Sequence, residues 1–519
     1  MSSTPRPNVL FITLDQFRGR CLSAAGHAMV KTPNLDRLAA QGVRFAQHYA
    51  QCAPCGPSRA SLHTGLYLHN HRSVFNGTPL DDRFPNLARV ARAGGYDPTL
   101  FGYTDSSVDL RTVTDPGDPR LRTWEGVLPG FTSEVLLVDV AQPWVDWLLE
   151  AGYQIDDPAE LAKPWPGAAG LGGTGHHWAP SRFAAEHTET AFLTGRLIDW
   201  IDSQGSPDGC DPWFAHASYI RPHPPFIVPE PYNTMYDPDD VPPMNRRETA
   251  SEEAALHQLV ALGLESGYGA NHLSDKGLRQ LRATYYGMIS EVDDQMGRLL
   301  DWLDQSGHGA NTLIVLTSDH GEQLGDHWML GKLGFFDESY HIPLIIRDPS
   351  AQAAGGRVVE SFTENVDIFP TICALTGLGP PAHLDGRSLA SWVRGDTPDD
   401  WRTEVHWEFD FRAIVGDPAA LGMNLEDCWL TVLRDEHGKY VHIPKLGSLF
   451  FDLDRHPDEL VEVSGDPDET ARVLDYAQRM ISWRMQHSDN TLANIIIDKG
   501  SGPRHLAGAG SPIPGPTPV

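Results

Sequence analysis

Residues of three kinds in this chain stand where they could do chemistry together: a cysteine in an unusual run, acids that follow apolar runs, and a few isolated basic side chains. Cys55 opens the run Cys55-Gly-Pro-Ser-Arg59, continued by Ala-Ser-Leu-His-Thr-Gly65. On a helix Arg59 stands one turn from Cys55, where a guanidinium can hold a nucleophile and offset charge developing on a transferred group. Asp15 follows the apolar residues 9–14, and Asp319-His320 follows the apolar residues 312–317. A lone Asp after a strand is ordinarily a cap or turn residue. Two of them, together with the cysteine run, point to hard oxygen ligands for a divalent cation at the carboxyl ends of parallel strands.

Other readings compete for the same residues. Cys52-Ala-Pro-Cys55 has the spacing of a redox pair, but that chemistry explains neither Ser58 nor Arg59. Gly170-Leu-Gly172-Gly-Thr-Gly175 formally matches a dinucleotide fingerprint. It lies between Pro- and Trp-rich flanks rather than between a strand and a helix, so the nucleotide reading is set aside. His223 sits among prolines in Arg221-Pro-His-Pro-Pro-Phe226, a stiff extended segment.

These residues need elements to position them. Residues 9–14 and 312–317 read as buried strands. Leu281, Tyr285, Met288, Val292, Met296, Leu299 and Leu303 step by three and four, which predicts a long amphipathic helix. Alternating strands and helices imply βαβ units around a mainly parallel sheet, an α/β fold. After about residue 385 the texture changes. Runs near 440 and 450 read as antiparallel strands, and Leu474, Ala477, Met480 and Ile481 mark a helix. The expected organisation is therefore a catalytic domain over 1–385 and a smaller α+β domain with an antiparallel sheet over 386–519. Its last nineteen residues hold five Pro and four Gly and read as an arm or disordered tail.

The cysteine run resembles the sulfatase signature, in which the Cys of C-x-P-S-R is oxidised to Cα-formylglycine. Further stretches extend the likeness over nearly the whole chain: Asn8 to Gln16, Lys31 to Leu38, Gly102-Tyr-Thr104, Arg221 to Phe226, Ser318 to His327, Leu330-Gly-Lys332 and Phe450 to Leu453. The sequence is similar to the sulfatase branch of the alkaline phosphatase superfamily, and within it to bacterial phosphonate monoester hydrolases and cytoplasmic arylsulfatases. The resemblance implies an alkaline phosphatase-like fold and one divalent cation, calcium, manganese or magnesium, held by Asp15, Gln16, residue 55, Asp319 and His320. It also implies Arg59, His223 and Lys332 as catalytic groups, with His223 the candidate acid for the leaving oxygen. Asn76, Tyr103 and Asp105 would meet the substrate, Asp105 standing where the subgroup tends to have a hydroxyl residue. Gln16 and His320 replace the acid and amide common in sulfatases and match the phosphonate hydrolases, whereas Ser58 matches the sulfatase form. The expected activity is hydrolysis of aryl sulfate esters, extended to phosphonate monoesters and phosphodiesters. The alternatives are phosphonate monoester hydrolysis as the main activity and a C-x-x-C redox or metal-binding protein.

Composition bounds the partners. Forty Lys and Arg against 69 Asp and Glu give a formal net charge of −29, which argues against nucleic acid and anionic membranes. The six cysteines are scattered, as in a reduced compartment. No apolar run approaches a membrane span or a secretion signal, so a cytoplasmic location is expected. A formylglycine-generating enzyme is the expected protein partner, and a homodimer or homotetramer the expected assembly.

Overall fold

A computed structural model describes residues 6–164, 179–207, 209, 211–489, 495–500 and 502–505. The Gly170–Gly175 motif, His176 and His177 lie outside the described residues.

The strands in chain order are β1 (Asn8–Leu14), β2 (Val43–Tyr49), β3 (Cys52–Ala53), β4 (Pro98–Gly102), β5 (Thr132–Leu136), β6 (Phe214–Tyr219) and β7 (Thr312–Thr317). They continue with β8 (Leu344–Arg347), β9 (Arg357–Glu364), β10 (Val405–Asp410), β11 (Trp429–Arg434), β12 (Gly438–Ile443) and β13 (Gly447–Asp452). Eight of them form one sheet in the order β5-β4-β6-β1-β7-β8-β2-β9. Its first five strands run parallel, and β8 lies antiparallel to both of its neighbours. Every residue of β1, β4, β6 and β7 is buried. Such strands are covered by helices on both faces, which is why their sequences are continuous apolar runs rather than alternations. The expected mixed, mainly parallel sheet is the one observed.

The predicted long helix is Asp275–Ser306, started by the Ser274 side chain on Gly277 N and ended at Gly307 in the left-handed region. All seven residues of its predicted apolar stripe are buried.

The second sheet has the order β13-β12-β11-β10-β3. Strands β10 to β13 are antiparallel neighbours, as expected. Its edge strand β3, however, is Cys52–Ala53, paired parallel to Glu408 and Phe409. The C-terminal region thus grips the chain immediately before Cys55. The helix expected near 477 spans Thr470–Gln486, but it buries Tyr476, Met480 and Trp483. Leu474 and Ile481 face outward, 57% and 60% exposed. In the segment read as a tail, Gly502–His505 pairs antiparallel with Ile495–Asp498.

Candidate active site

The parallel strands deliver their chemistry at one edge. Tyr103 follows β4, Arg221 and His223 follow β6, Asp15 and Gln16 follow β1, and Asp319 and His320 follow β7. These four strands are consecutive in the sheet, so residues far apart in sequence meet at their carboxyl ends. Opposite them, Cys55 is the first residue of the helix Cys55–Thr64, all ten residues of which are buried. Asn76 Oδ1 accepts the Gly56 N–H at 2.9 Å. The Ser58 hydroxyl donates to the Asp319 carbonyl at 2.5 Å. The second of these bonds seats the first turn of the helix against the end of β7.

One ligand atom each from Asp15, Cys55, Asp319 and His320 lies within 4.8 Å of the others, and all four residues are buried. His320 Nδ1 donates to the Gly321 carbonyl at 3.1 Å, leaving Nε2 with its lone pair 3.2 Å from Cys55 Sγ. Burial and Lys332 hold this imidazole well below its ordinary pKa, so it is neutral, as a metal ligand must be. Gln16 has φ 64, a left-handed conformation uncommon outside glycine. It is held there by its N–H on Asp319 Oδ1 (3.1 Å) and its carbonyl on the Tyr285 hydroxyl (2.8 Å). Its side-chain Oε1 accepts from Lys332 Nζ at 2.6 Å, and Lys332 Nζ is also 3.2 Å from Cys55 Sγ.

The two carboxylates cannot both carry charge easily. Burial opposes ionisation of Asp15, but His223, Arg59 and Lys332 outweigh it and hold Asp15 well below the usual carboxylate range. Burial and the Asp15 charge then push Asp319 up to about 7. A divalent cation held by both would remove that conflict. The donor set of two carboxylates, an amide oxygen and a neutral imidazole suits a hard or borderline cation, so these residues fit the implied metal.

Arg59 is fully buried and bound on every side. Its Nε meets Asp319 Oδ2 and its Nη2 meets Asp15 Oδ2, both at 3.0 Å. Its Nη1 donates to Ser218 Oγ at 2.7 Å and to the Tyr103 carbonyl. The guanidinium thus holds the acids in place rather than facing open space. The Tyr103 hydroxyl donates to Asp15 Oδ2 at 2.6 Å. Asp105, 3.7 Å from Arg59 Nε, is raised to about 7, chiefly by burial. His223 Nδ1 donates to the Pro224 carbonyl at 2.7 Å. Burial and Lys332 push its pKa down to about 4, so it rests neutral with Nε2 unprotonated.

The cysteines decide between chemistries. Burial, then Asp15, raises the Cys55 thiol well above its usual value despite Lys332. Burial raises Cys52 too, and Cys52 Sγ faces Ser61 Oγ at 3.4 Å. Both are free thiols. A redox pair needs a lowered thiol pKa, and neither residue has one. Sequence reasoning overlooked Ser218, Tyr285 and Glu322. Glu322 stood inside the motif Ser318 to His327, while Ser218 and Tyr285 carry no local signal. Asp326 and His327 are buried in ion pairs with Arg18, Arg282 and Glu253.

A sulfatase family model matches residues 7–378, and a second, the C-terminal region of N-sulphoglucosamine sulphohydrolase, matches 325–486. The chain belongs to the sulfatase family. This sulfatase-family chain is 42% identical to the multifunctional alkaline phosphatase superfamily protein of Trinickia caryophylli, over 94% of this chain and 97% of that one. It is 25% identical to an arylsulfatase of Clostridium perfringens, over 92% and 94%. Among solved structures, the phosphonate monoester hydrolase of Agrobacterium radiobacter is 47% identical with a TM-score of 0.91, covering 96% of this chain and 99% of that one. The phosphonate monoester hydrolase from Silicibacter pomeroyi is 38% identical with a TM-score of 0.89, covering 96% and 99%. The fold is that of the sulfatases, and the chain is a hydrolase of sulfate or phosphonate esters.

Proposed function

We propose that the chain hydrolyses phosphonate monoesters and phosphodiesters, and with them aryl sulfate esters, through a formylglycine at position 55 and one divalent cation. The observation that carries this reading is the ligand set. Gln16 and His320 stand beside Asp15 and Asp319 around residue 55, so two of the four other ligands are neutral. The relatives named as phosphonate monoester hydrolases, at 47% and 38% identity, weigh more than the arylsulfatase at 25%. This reverses the order of preference expected from the Ser58 form of the cysteine run.

Calcium, manganese or magnesium, when bound, supplies a Lewis acid that polarises an oxygen of the transferred group and makes a hydroxyl at residue 55 more acidic. A hydrated formylglycine at this position would supply two hydroxyls, one of them a nucleophile and the other able to return the group to the aldehyde. The chain's own residues do the rest. Arg59 and the Tyr103 hydroxyl fix Asp15. Lys332 meets the anionic group as a point charge. That anion offsets Lys332, allowing His223 Nε2 to take up a proton from solvent as substrate binds and deliver it to the leaving oxygen. Asn76 and Asp105 flank the substrate beside the first turn of the helix Cys55–Thr64.

A formylglycine-generating enzyme is the partner that modifies Cys55. Free thiols fit residence in the cytoplasm, and a homodimer or homotetramer is the proposed assembly. Comparing kcat/KM on a phenylphosphonate monoester, an aryl phosphodiester and an aryl sulfate tests the reading, alongside the intact mass of the peptide containing residue 55. The phosphorus esters should be fastest, and the peptide should have lost two hydrogens with sulfur replaced by oxygen. A sulfate ester faster by tenfold or more would reverse the preference, and an active enzyme with an unmodified Cys55 would remove the nucleophile.

A further inference from the structure

Glu322 is fully buried and takes no part in the chemistry above. Its carboxylate accepts three N–H donors. Oε1 accepts from Leu324 N at 3.0 Å and Gly331 N at 2.6 Å, and Oε2 accepts from Gln16 Nε2. Gln16 Oε1 in turn accepts from Lys332 Nζ. The two ends of the Gln16 carboxamide differ only in that one accepts and the other donates, so the groups beside them decide which way it points. Here both sides agree: a carboxylate demands the NH2 end and an ammonium demands the oxygen.

We infer that Glu322 is a positioning residue that locks the Gln16 carboxamide with its oxygen toward the cation site, and that through Gly331 N it also sets the turn carrying Lys332. The inference rests on Asp15, Gln16, Asp319 and His320 being the metal ligands. Its physical content lies in the mismatch an amide would create. With Glu322→Gln, the new Oε1 still accepts from Leu324 N and Gly331 N, but its NH2 then faces the Gln16 NH2. Two donors cannot bond to each other, so the Gln16 carboxamide must rotate and turn its NH2 toward the cation and Lys332. An NH2 group offers a metal no lone pair. The exchanged pair Gln16→Glu with Glu322→Gln restores every bond, and only the one between positions 16 and 322 changes direction. The amide at 322 donates to a carboxylate at 16, whose other oxygen faces the cation.

The test is calorimetric titration of the metal-free protein with Mn²⁺, together with thermal melting of the same samples. E322Q should bind Mn²⁺ about 10- to 100-fold more weakly than wild type, the usual cost of losing an outer-sphere partner. The Q16E/E322Q protein should recover at least tenfold of that loss. Equal Mn²⁺ affinity in wild type and E322Q would overturn this inference alone. So would a folded double variant that binds no better than E322Q. If E322Q does not fold, the double variant still decides: folded and Mn²⁺-binding supports the lock, unfolded or non-binding overturns it. A wild-type protein with no Mn²⁺ affinity would overturn the ligand assignment and this inference with it.

Discussion

Cys55 and Cys52 share a spacing but not a chemistry. Cys55 faces His320 and Lys332, whereas Cys52 is bonded to Ser61 on the far side of the turn. Cys55→Ala should therefore abolish turnover of every ester, while Cys52→Ala should keep most of it. Equal losses measured as kcat/KM would return the redox reading. His223 allows a sharper prediction. An aryl leaving group of low pKa departs unaided, whereas a poor one needs a proton. His223→Ala should slow alkyl and poorly activated aryl esters by about 10²- to 10⁴-fold, and nitrophenyl esters far less. The same fractional loss across a leaving-group series would make His223 a positioning residue instead.

At the scale of elements, the site depends on how closely β4 and β6 approach at their carboxyl ends. Gly102 has φ +101, and a Cβ there would lie 2.0 Å from the Ser218 carbonyl oxygen. Ser218 Oγ and the Tyr103 carbonyl both hold Arg59. Gly102→Ala should cost roughly 2–4 kcal/mol of stability from backbone crowding and the disfavoured φ. It should also lower kcat/KM, because it shifts two anchors of Arg59 at once. A wild-type Tm in this variant would show that the strands separate freely. The strand ends were legible because buried parallel strands are apolar runs with punctuated ends. The outward face of Thr470–Gln486 was not legible, because Leu474 and Ile481 look like any other apolar helix residues until the packing partner is known.

For the molecule as a whole, Leu474, Ile481 and Met485 stand at helical spacing on one side of that helix, 57%, 60% and 72% exposed. Three such side chains together are consistent with a covered surface, and light scattering at micromolar concentration should report a dimer or tetramer. A monomer there would refute the assembly. The interior also sets a pH dependence. Burial pushes His48 and His341 down to about 4 and His63 and His71 down to about 3, and holds His216 well below its ordinary value. Each folded pKa lies below the unfolded value of 6.5, so as pH falls the unfolded chain binds protons first. The stability these residues allow is complete above about pH 6.5 and is lost towards pH 4 and 3, by up to about 1.4 kcal/mol per pH unit for each fully buried neutral histidine. Asp105 and Asp319, raised to about 7, bind protons in the folded state over the same range and oppose this loss. The histidine share is therefore read by difference: between pH 7 and pH 5.5 the urea midpoint of His63→Phe should rise relative to that of wild type. A difference constant over this range would mean that the His63 ring is hydrated.

The sequence by itself determined the sheet's parallel core, the long helix and the meeting of Asp15, Asp319 and Cys55, while Gln16 and His320 joined that set only through the family resemblance. Each is written locally, as an apolar run with an acid at its end or a cysteine run opening a helix, and parallel topology brings such ends together. The tertiary structure alone decided what holds those residues. Glu322 on Gln16, Ser218 on Arg59, Tyr285 on the Gln16 carbonyl and β10 beside Cys52–Ala53 are pairings across as many as 356 positions, counted from Cys52 to its partner Glu408. Nothing in the spacing of either partner records them, because a hydrogen bond of this kind depends on distance in space and on which end of a side chain is left without a partner.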